Sequence, residues 1–379
     1  MEAQGNSQMP KNAHHMAITL ALLLIAFVVL LIGIVRLFAY NLRPNGANVY
    51  NALNQIPANN LNITSANVSN TSSILFNYTN NNISAGAEFS ENSTIEYMLQ
   101  MINGERLQYG LQSVTLSNEP SAQFHANSML NNDYFSHWDP YGMKPYMRYT
   151  ILGGNQSVDE NVAYKAYLYE ECLGKNCNIE QVNVTYALSQ MENSMLYNDS
   201  LCCNNGHRKN ILDPNHNEVS IGIAYNKTNV YLVEDFIDNY INWIGGGPNI
   251  SNQNVTLQGY MLHGARISDI GITYDPAPLN MTRAELDNTS SYGYGQQIAG
   301  VTYGNYYYPG IATIYASTYH IEKNYFDIAF NMSTLEHKYG AGAYTLMIYM
   351  NNSTDGTFLG GTHTIFINNS LEPYIPSRA

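Results

Sequence analysis

Basic residues are scarce in this chain. Lysine and arginine together number 16 among 379 residues, and the formal net charge is −13. Proteins that hold nucleic acid present basic surfaces to the phosphates, so this composition argues against a nucleic-acid partner. An acidic balance of this kind suits a hydrated cell surface.

Two common hydrolase motifs are also missing. The chain contains neither the H-E-x-x-H pair of zinc peptidases nor the G-x-S-x-G turn of serine hydrolases. An enzymatic function would therefore have to rest on another arrangement of side chains.

Charge is absent altogether from residues 17–35, where the only hydroxyl belongs to Thr19. At about 1.5 Å of rise per residue, a helix of this length spans roughly 28 Å, close to the hydrocarbon core of a bilayer. We predict a cytoplasmic tail over 1–16 and a single-pass transmembrane signal anchor over 17–40. A cleaved signal peptide is the alternative, but the apolar run is long for one and no clear cleavage site follows.

Every N-glycosylation tripeptide N-x-S/T lies after this apolar segment. The asymmetry predicts a protein of the cell membrane with the bulk of its chain extracellular. Residues 41–93, rich in Asn, Ser and Thr, are predicted to be a stalk, because their hydrophobic residues are too sparse for a core. The glycosylation candidates crowded there are Asn62, Asn67, Asn70, Asn77, Asn82 and Asn92.

Cysteines are few and clustered: Cys172, Cys177, Cys202 and Cys203. An oxidising exterior favours two disulfides among them, and their spacing leaves all three pairings open. A zinc site of thiolates is the alternative, although the spacing does not match the usual two-residue knuckle.

Hydrophobic periodicity divides the rest of the chain into two parts. Predicted helices begin at Thr94 and cover 121–131 and 184–197, and strands cover 218–225 and 230–237. After the breaker cluster 245–248, only short strand patterns remain, at 267–274, 298–303, 313–319, 325–330, 344–349 and 363–367. We predict a mixed domain over 94–243, a Gly-rich linker over 244–255 and an antiparallel, all-β (Ig-like) sandwich over 256–379.

The mixed domain carries an ordered series of motifs. They include Ile102-Asn103-Gly104-Glu105-Arg106, Tyr134-Phe135-Ser136-His137, Asp159-Glu160-Asn161-Val162-Ala163 and Gly206-His207-Arg208. In this order and spacing they resemble the CAP superfamily, the domain of cysteine-rich secretory proteins, class 1 pathogenesis-related proteins and many prokaryotic surface proteins. The resemblance implies an α+β fold, a three-layer α-β-α sandwich.

The resemblance also implies a cleft lined by two histidines and two glutamates. Three of these positions map onto His137, Glu160 and His207, and in the family the histidines can hold a divalent cation such as zinc. The second glutamate would fall on Ser194, counted from the position that Met191 occupies in place of the family's tryptophan. Glu192 lies close by on the same helix and is a further cleft candidate.

The resulting expectation is a membrane-anchored surface binding or interaction module whose cleft takes a divalent metal or small ligand. Its partners would be a lipid, a glycan or a cell-envelope protein. One alternative is a metal-dependent hydrolase that uses Glu160 as general base beside His137 and His207. Another is a purely architectural envelope protein. A cysteine nucleophile near His207 is disfavoured by the oxidising exterior.

Overall fold

A computed structural model describes residues 91–167, 182–200, 203–289, 291–352 and 356–367. These belong to one compact unit. Within them, no helix has the length and apolar character needed to cross a membrane. The predicted tail, anchor and most of the stalk lie outside the described residues, as do Cys172, Cys177 and Cys202, so the predictions for these segments stay predictions.

The described helices are α1 (Glu91–Gln108), α2 (Ser121–Asn132), α3 (Pro145–Ile151), α4 (Val184–Tyr197), α5 (Gly206–Ile211), α6 (Arg283–Asp287) and α7 (Ser333–Tyr339). The strands are β1 (Thr115–Leu116), β2 (Ser157–Ala166), β3 (Glu218–Tyr225), β4 (Asn229–Asp238), β5 (Ile241–Trp243), β6 (Asn249–Ser251), β7 (Asn254–Met261), β8 (Arg266–Pro276), β9 (Gln296–Thr302), β10 (Ala312–Tyr315), β11 (Thr318–Glu322), β12 (Tyr325–Asn331), β13 (Gly342–Asn352) and β14 (Gly356–Ile367). The observed bounds of α4 and β3 are those predicted from periodicity.

The first part of the chain is built on a four-stranded sheet in the order β1-β3-β4-β2. Side chains alternate between its faces, because successive residues of a strand point to opposite sides. Leu232 and Phe236 of β4 pack with α1 and α4, whereas Tyr231 and Val233 pack with α2. Helices therefore cover both faces of a mixed α and β domain.

The end of α2 directs the chain into the loop that carries His137. Asp133 follows the helix in the left-handed conformation, with φ of 52°, and the backbone N–H of Tyr134 donates to the Met129 carbonyl oxygen at 3.2 Å. This left-handed closure of a helix turns the chain sharply. Residues 133–144, here called the His137 loop, then lead to α3.

The C-terminal part contains two further sheets, as the strand pattern predicted. One has the order β10-β9-β8-β13-β14, and the other has the order β11-β12-β7-β5, with β6 paired to β7. Side chains from both sheets meet in one hydrophobic core, including Leu257 and Phe326 from one sheet and Ile272 and Leu346 from the other.

Two details of these sheets correct the sequence-based prediction. The single strand predicted over 313–319 is two strands, β10 and β11, which belong to different sheets. In addition, β10 pairs with β9 in parallel, so the sandwich is not wholly antiparallel. Parallel pairing requires the chain to cross back to the start of β9 before β10 begins. In this crossing segment, Gly304 and Gly310 adopt positive φ angles of 70° and 82°.

Regular structure continues through the segment predicted as a Gly-rich linker. A short 3-10 turn occupies Ile244–Gly246, β6 follows, and β7 begins at Asn254. The preceding strand β5 pairs with β7. Sheet pairing therefore occurs within the segment 244–255, at 249–251 and 254–255, and on both sides of it.

Helix α2 packs directly against β3 at Gly222, where an added Cβ would lie 2.1 Å from the Ala122 carbonyl oxygen. Gly222→Ala has to separate the two elements, and we expect a loss of about 1–3 kcal/mol of unfolding free energy. The measurement is the urea midpoint of the full chain. Gly104→Ala in α1 is the control, because no other group lies within 4 Å of its added Cβ. An unchanged midpoint for Gly222→Ala would contradict this packing.

Candidate functional site

The two histidines predicted to share a cleft lie beside each other. His137 belongs to the His137 loop and His207 to the first turn of α5. Their rings are stacked, with centroids 6.4 Å apart and planes inclined by 27°. Each side chain is 13% exposed, so both are mostly covered yet remain open to solvent.

Glu160 on β2 is fully buried and accepts hydrogen bonds on both carboxylate oxygens. Its Oε1 lies 2.9 Å from Nδ1 of His137, and its Oε2 lies 2.8 Å from Nδ1 of His125. Arg148 of α3 also pairs with Oε2, and its Nη1 donates to the His137 carbonyl oxygen at 3.3 Å. Three elements that surround β2 therefore converge on one carboxylate.

The ionisation of Glu160 follows from these partners. Burial by itself would raise the pKa of the carboxyl, but the positive charge of Arg148 and the hydrogen bonds from His125 and His137 outweigh it. The pKa of Glu160 is consequently held well below its usual range. Burial and the neighbouring Arg148 lower the pKa of His125, which favours its neutral form.

His207 has a carboxylate partner of its own. Its Nδ1 lies 2.7 Å from Oδ1 of Asp199, a buried residue between α4 and α5. The other oxygen of Asp199 accepts from the backbone N–H of Arg208 at 3.2 Å. Asp199 is therefore fixed at both oxygens and holds the ring of His207 in one orientation.

The two cleft histidines thus share one pattern. A carboxylate oxygen accepts hydrogen bonds, so Nδ1 is the donor to it in both His137 and His207. In a neutral imidazole this leaves a lone pair on the second ring nitrogen, Nε2, which has no hydrogen-bond partner among the described residues in either histidine. A carboxylate behind each ring is the arrangement that commonly supports a metal-binding histidine.

Comparison with protein families adds to this geometry. Residues 99–237 match the model described as the cysteine-rich secretory protein family, or CAP. Residues 99–237 are a CAP domain. The motif-based prediction of this domain is confirmed.

Solved structures similar to the chain come from bacteria. An extracellular protein containing an SCP domain from Bacillus anthracis is 22% identical, with a TM-score of 0.28, over 39% of this chain and 41% of that one. An outer surface protein from Borrelia burgdorferi is 13% identical, with a TM-score of 0.29, over 41% of this chain and 99% of that one. The CAP domain of enterococcal PrgA is 13% identical, with a TM-score of 0.27, over 55% of this chain and 70% of that one. No curated protein matches the chain.

Glu192, the further cleft candidate, lies on the buried face of α4, whereas Ser194 is exposed. Its carboxyl is close enough to those of Glu105 and Glu234 for the three to influence one another electrostatically inside the CAP domain. Burial and the proximity of the other carboxyls raise the pKa of Glu192 well above its usual value, and burial raises the pKa of Glu105 to about 7. Asn161 connects this carboxyl cluster to the cleft, since its amide donates to Glu234 and to the His207 carbonyl oxygen, at 3.3 Å each.

Cys203 lies next to His207. One ligand atom each from Asp199, Cys203 and His207 falls within 4.8 Å of the others, a spacing that a metal ion would allow. Cys203 is not a free thiol, however. A sulfur that is not a thiolate is a poor ligand, so this group offers a metal only the histidine and the aspartate. The full pairing of the four cysteines stays a prediction.

Sequence reasoning missed three partners of the cleft residues. They are His125, Arg148 and Asp199, none of which was predicted to line the cleft. A buried carboxylate requires donors, but the sequence does not say which ones reach it. The family motifs contain His137 and Glu160 themselves, but they do not identify the side chains that pair with them.

The carboxyl cluster generates a pH prediction. Because the pKa of Glu105 is raised from 4.5 to about 7, the folded chain keeps a proton that the unfolded chain releases between these values. The unfolding free energy therefore falls as the pH rises through this window. We expect Glu105→Gln to reduce that fall, measured by urea unfolding of the full chain at several pH values. Glu96→Gln, at an exposed position of the same helix, should behave as the wild type. Parallel curves for the wild type and Glu105→Gln would contradict the prediction.

Proposed function

We propose that this chain is a surface binding protein in which His137 and His207 of the CAP domain hold a divalent cation. The proposal rests on one observation, the carboxylate behind each histidine that fixes Nδ1 and leaves Nε2 for a ligand. Neutral imidazole nitrogen is a preferred ligand of zinc. The carboxylates of Glu160 and Asp199 orient the rings and increase their basicity.

The spacing of the rings fits an ion after a small closure. A tetrahedral ion at about 2.0–2.1 Å from each nitrogen brings two imidazole centres to roughly 5 Å from each other. The centroids of His137 and His207 are 6.4 Å apart. The pair would thus close by about 1 Å on binding, which is within reach of a loop residue and a residue at a helix end. A bound cation supplies positive charge and coordination positions open to water or a small ligand.

The carboxylate geometry favours binding over hydrolysis. A general base needs a free oxygen and a pKa near the working pH. Glu160 has neither, because His125, His137 and Arg148 occupy its oxygens and hold its pKa low. The hydrolase alternative therefore lacks a suitable base at Glu160.

Sequence features support the remaining parts of the proposal. The apolar run 17–35 and the tripeptides downstream of it support a single-pass anchor in the cell membrane with the CAP domain outside. Exposed tyrosines at the end of β10 and in the segment between β9 and β10 support a second role in contacts with a glycan, a lipid or an envelope protein. They are Tyr303, Tyr306, Tyr307 and Tyr315.

Calorimetric titration of the full chain with zinc tests the cation site. We expect one site, lost in His137→Ala and in His207→Ala. Asp199→Asn should weaken binding by about 10–100-fold, because it removes the carboxylate behind His207 while keeping both ligands. His320→Ala is the control, since His320 is an exposed histidine of the C-terminal sheets and should leave binding unchanged.

The outcomes separate the two readings of the cleft. Loss of binding in both cleft variants, with the control intact, supports the proposal. Titration of the wild type without heat from a specific site, or equal binding in folded His137→Ala, contradicts it and leaves the binding or architectural role without a cation.

A further inference from the structure

A segment of the C-terminal part lies along the CAP cleft. Residues 277–289 and 291–295, between β8 and β9, are here called the strap. Several hydrogen bonds join it to the His137 loop, among them those from the Met281 N–H to the Pro140 carbonyl oxygen at 2.8 Å, from the Phe135 N–H to Asp287 at 3.1 Å, and from the Trp138 ring N–H to the Ser291 carbonyl oxygen at 3.2 Å. The strap therefore runs beside the loop that presents His137.

Close contacts fix the strap at both ends of this loop. At one end, Arg283 forms an ion pair with Asp133. At the other, the Lys144 ammonium lies 2.6 Å from Asp275 at the end of β8 and 2.8 Å from the Gly293 carbonyl oxygen. Between them, a Cβ at Gly142 would lie 2.3 Å from the Leu279 carbonyl oxygen, so the two backbones are in direct contact.

Tyr292 of the strap reaches the cleft itself. Its hydroxyl oxygen accepts the backbone N–H of Glu160 at 2.7 Å. Its ring packs on His137, with centroids 4.8 Å apart and planes inclined by 57°. One side chain thus contacts both members of the His137–Glu160 pair.

The contacts of Tyr292 restrict movement of the His137 ring more than the hydrogen bond from His137 to Glu160 does alone. The bond from Nδ1 to Glu160 holds one atom of the His137 ring, but it places nothing against the face of the ring. The Tyr292 ring packs there and restricts tilting of the His137 ring towards it. The Tyr292 hydroxyl is also hydrogen-bonded to the backbone of Glu160. Tyr292 therefore contacts both the His137 ring and the residue whose carboxylate accepts from that ring.

We infer that Tyr292 is a further cleft residue, supplied by the C-terminal part, that positions the His137 ring and its Nε2. The inference deepens the proposed function, since it concerns the presentation of one proposed ligand. His207 provides an internal comparison. No hydrogen bond or ring contact joins it to the described residues of the strap, and its partner Asp199 belongs to the CAP domain.

Proton exchange at the two histidines tests this role without any metal. In the full chain with ring-15N-labelled histidine, the exchange of the Nδ1 protons with water is measured for His137 and His207. In Tyr292→Leu, which removes the ring, we expect exchange about tenfold faster at His137 and unchanged at His207. Tyr292→Phe keeps the ring and loses its tie to Glu160, so the increase should be smaller. Tyr307→Leu, at an exposed tyrosine of the same part, is the control.

Three results of the exchange experiment would overturn the inference. One is unchanged exchange at His137 in folded Tyr292→Leu. Another is equal acceleration at His137 and His207, which would indicate general loosening and not positioning. If Tyr292→Leu does not fold, Tyr292→Phe provides the test. Exchange at His137 in Tyr292→Phe equal to that in the wild type would then overturn the positioning role of Tyr292.

Zinc titration of the same variants separates this inference from the cation proposal. Selective acceleration at His137 in a chain that binds no zinc would support positioning by Tyr292 and count against the cation. Where the wild type does bind zinc, we expect Tyr292→Leu to bind about tenfold more weakly, as for other residues that support a ligand. Equal zinc affinity in Tyr292→Leu and the wild type would overturn the positioning role.

Discussion

A carboxylate that stays ionised inside a protein must be surrounded by donors, and Glu160 imposes this requirement on the CAP domain. The donors come from separate elements: His125 from α2, His137 from the loop after it, and Arg148 from α3. Arg148 additionally holds the His137 backbone. The position of the cleft histidine is therefore a consequence of solvating one buried charge, and the helices on this face are tied to β2 by the same interaction.

On the opposite face of the same sheet, buried carboxyls are accommodated without a positively charged partner among the described interactions that set their pKa values. Asn161, the next residue along β2, turns away from Glu160 and meets Glu234, which lies near Glu105 and Glu192. Burial shifts these carboxyls toward the neutral form. Alternation along one strand thus separates a carboxylate whose pKa is lowered from a cluster of carboxyls whose pKa values are raised, by a single peptide unit.

Periodicity predicted α4 and β3 to the residue because their apolar faces pack locally against one core. Periodicity missed β2 as a strand. Buried polar residues such as Glu160 and Asn161 interrupt its apolar pattern, and their hydrogen-bond partners lie on other elements. It also joined β10 and β11, since a pattern of period two contains no information about a change of sheet. His137, Glu160 and His207 were recognised from family motifs, whereas the roles of Arg148 and Tyr292 depend on tertiary contacts that neither motif nor periodicity encodes.

The strap has a consequence for the order in which the molecule forms. Tyr292 and Glu160 are 132 positions apart in the chain. The strand that leads into the strap, β8, pairs with β13, which ends only at Asn352. A chain synthesised from its N-terminus completes the CAP motifs long before this pairing can occur, and such non-local contacts form slowly. The nascent CAP domain therefore carries its histidines before their tyrosine neighbour arrives, so the site around His137 is completed only after the strands that hold the strap have been synthesised.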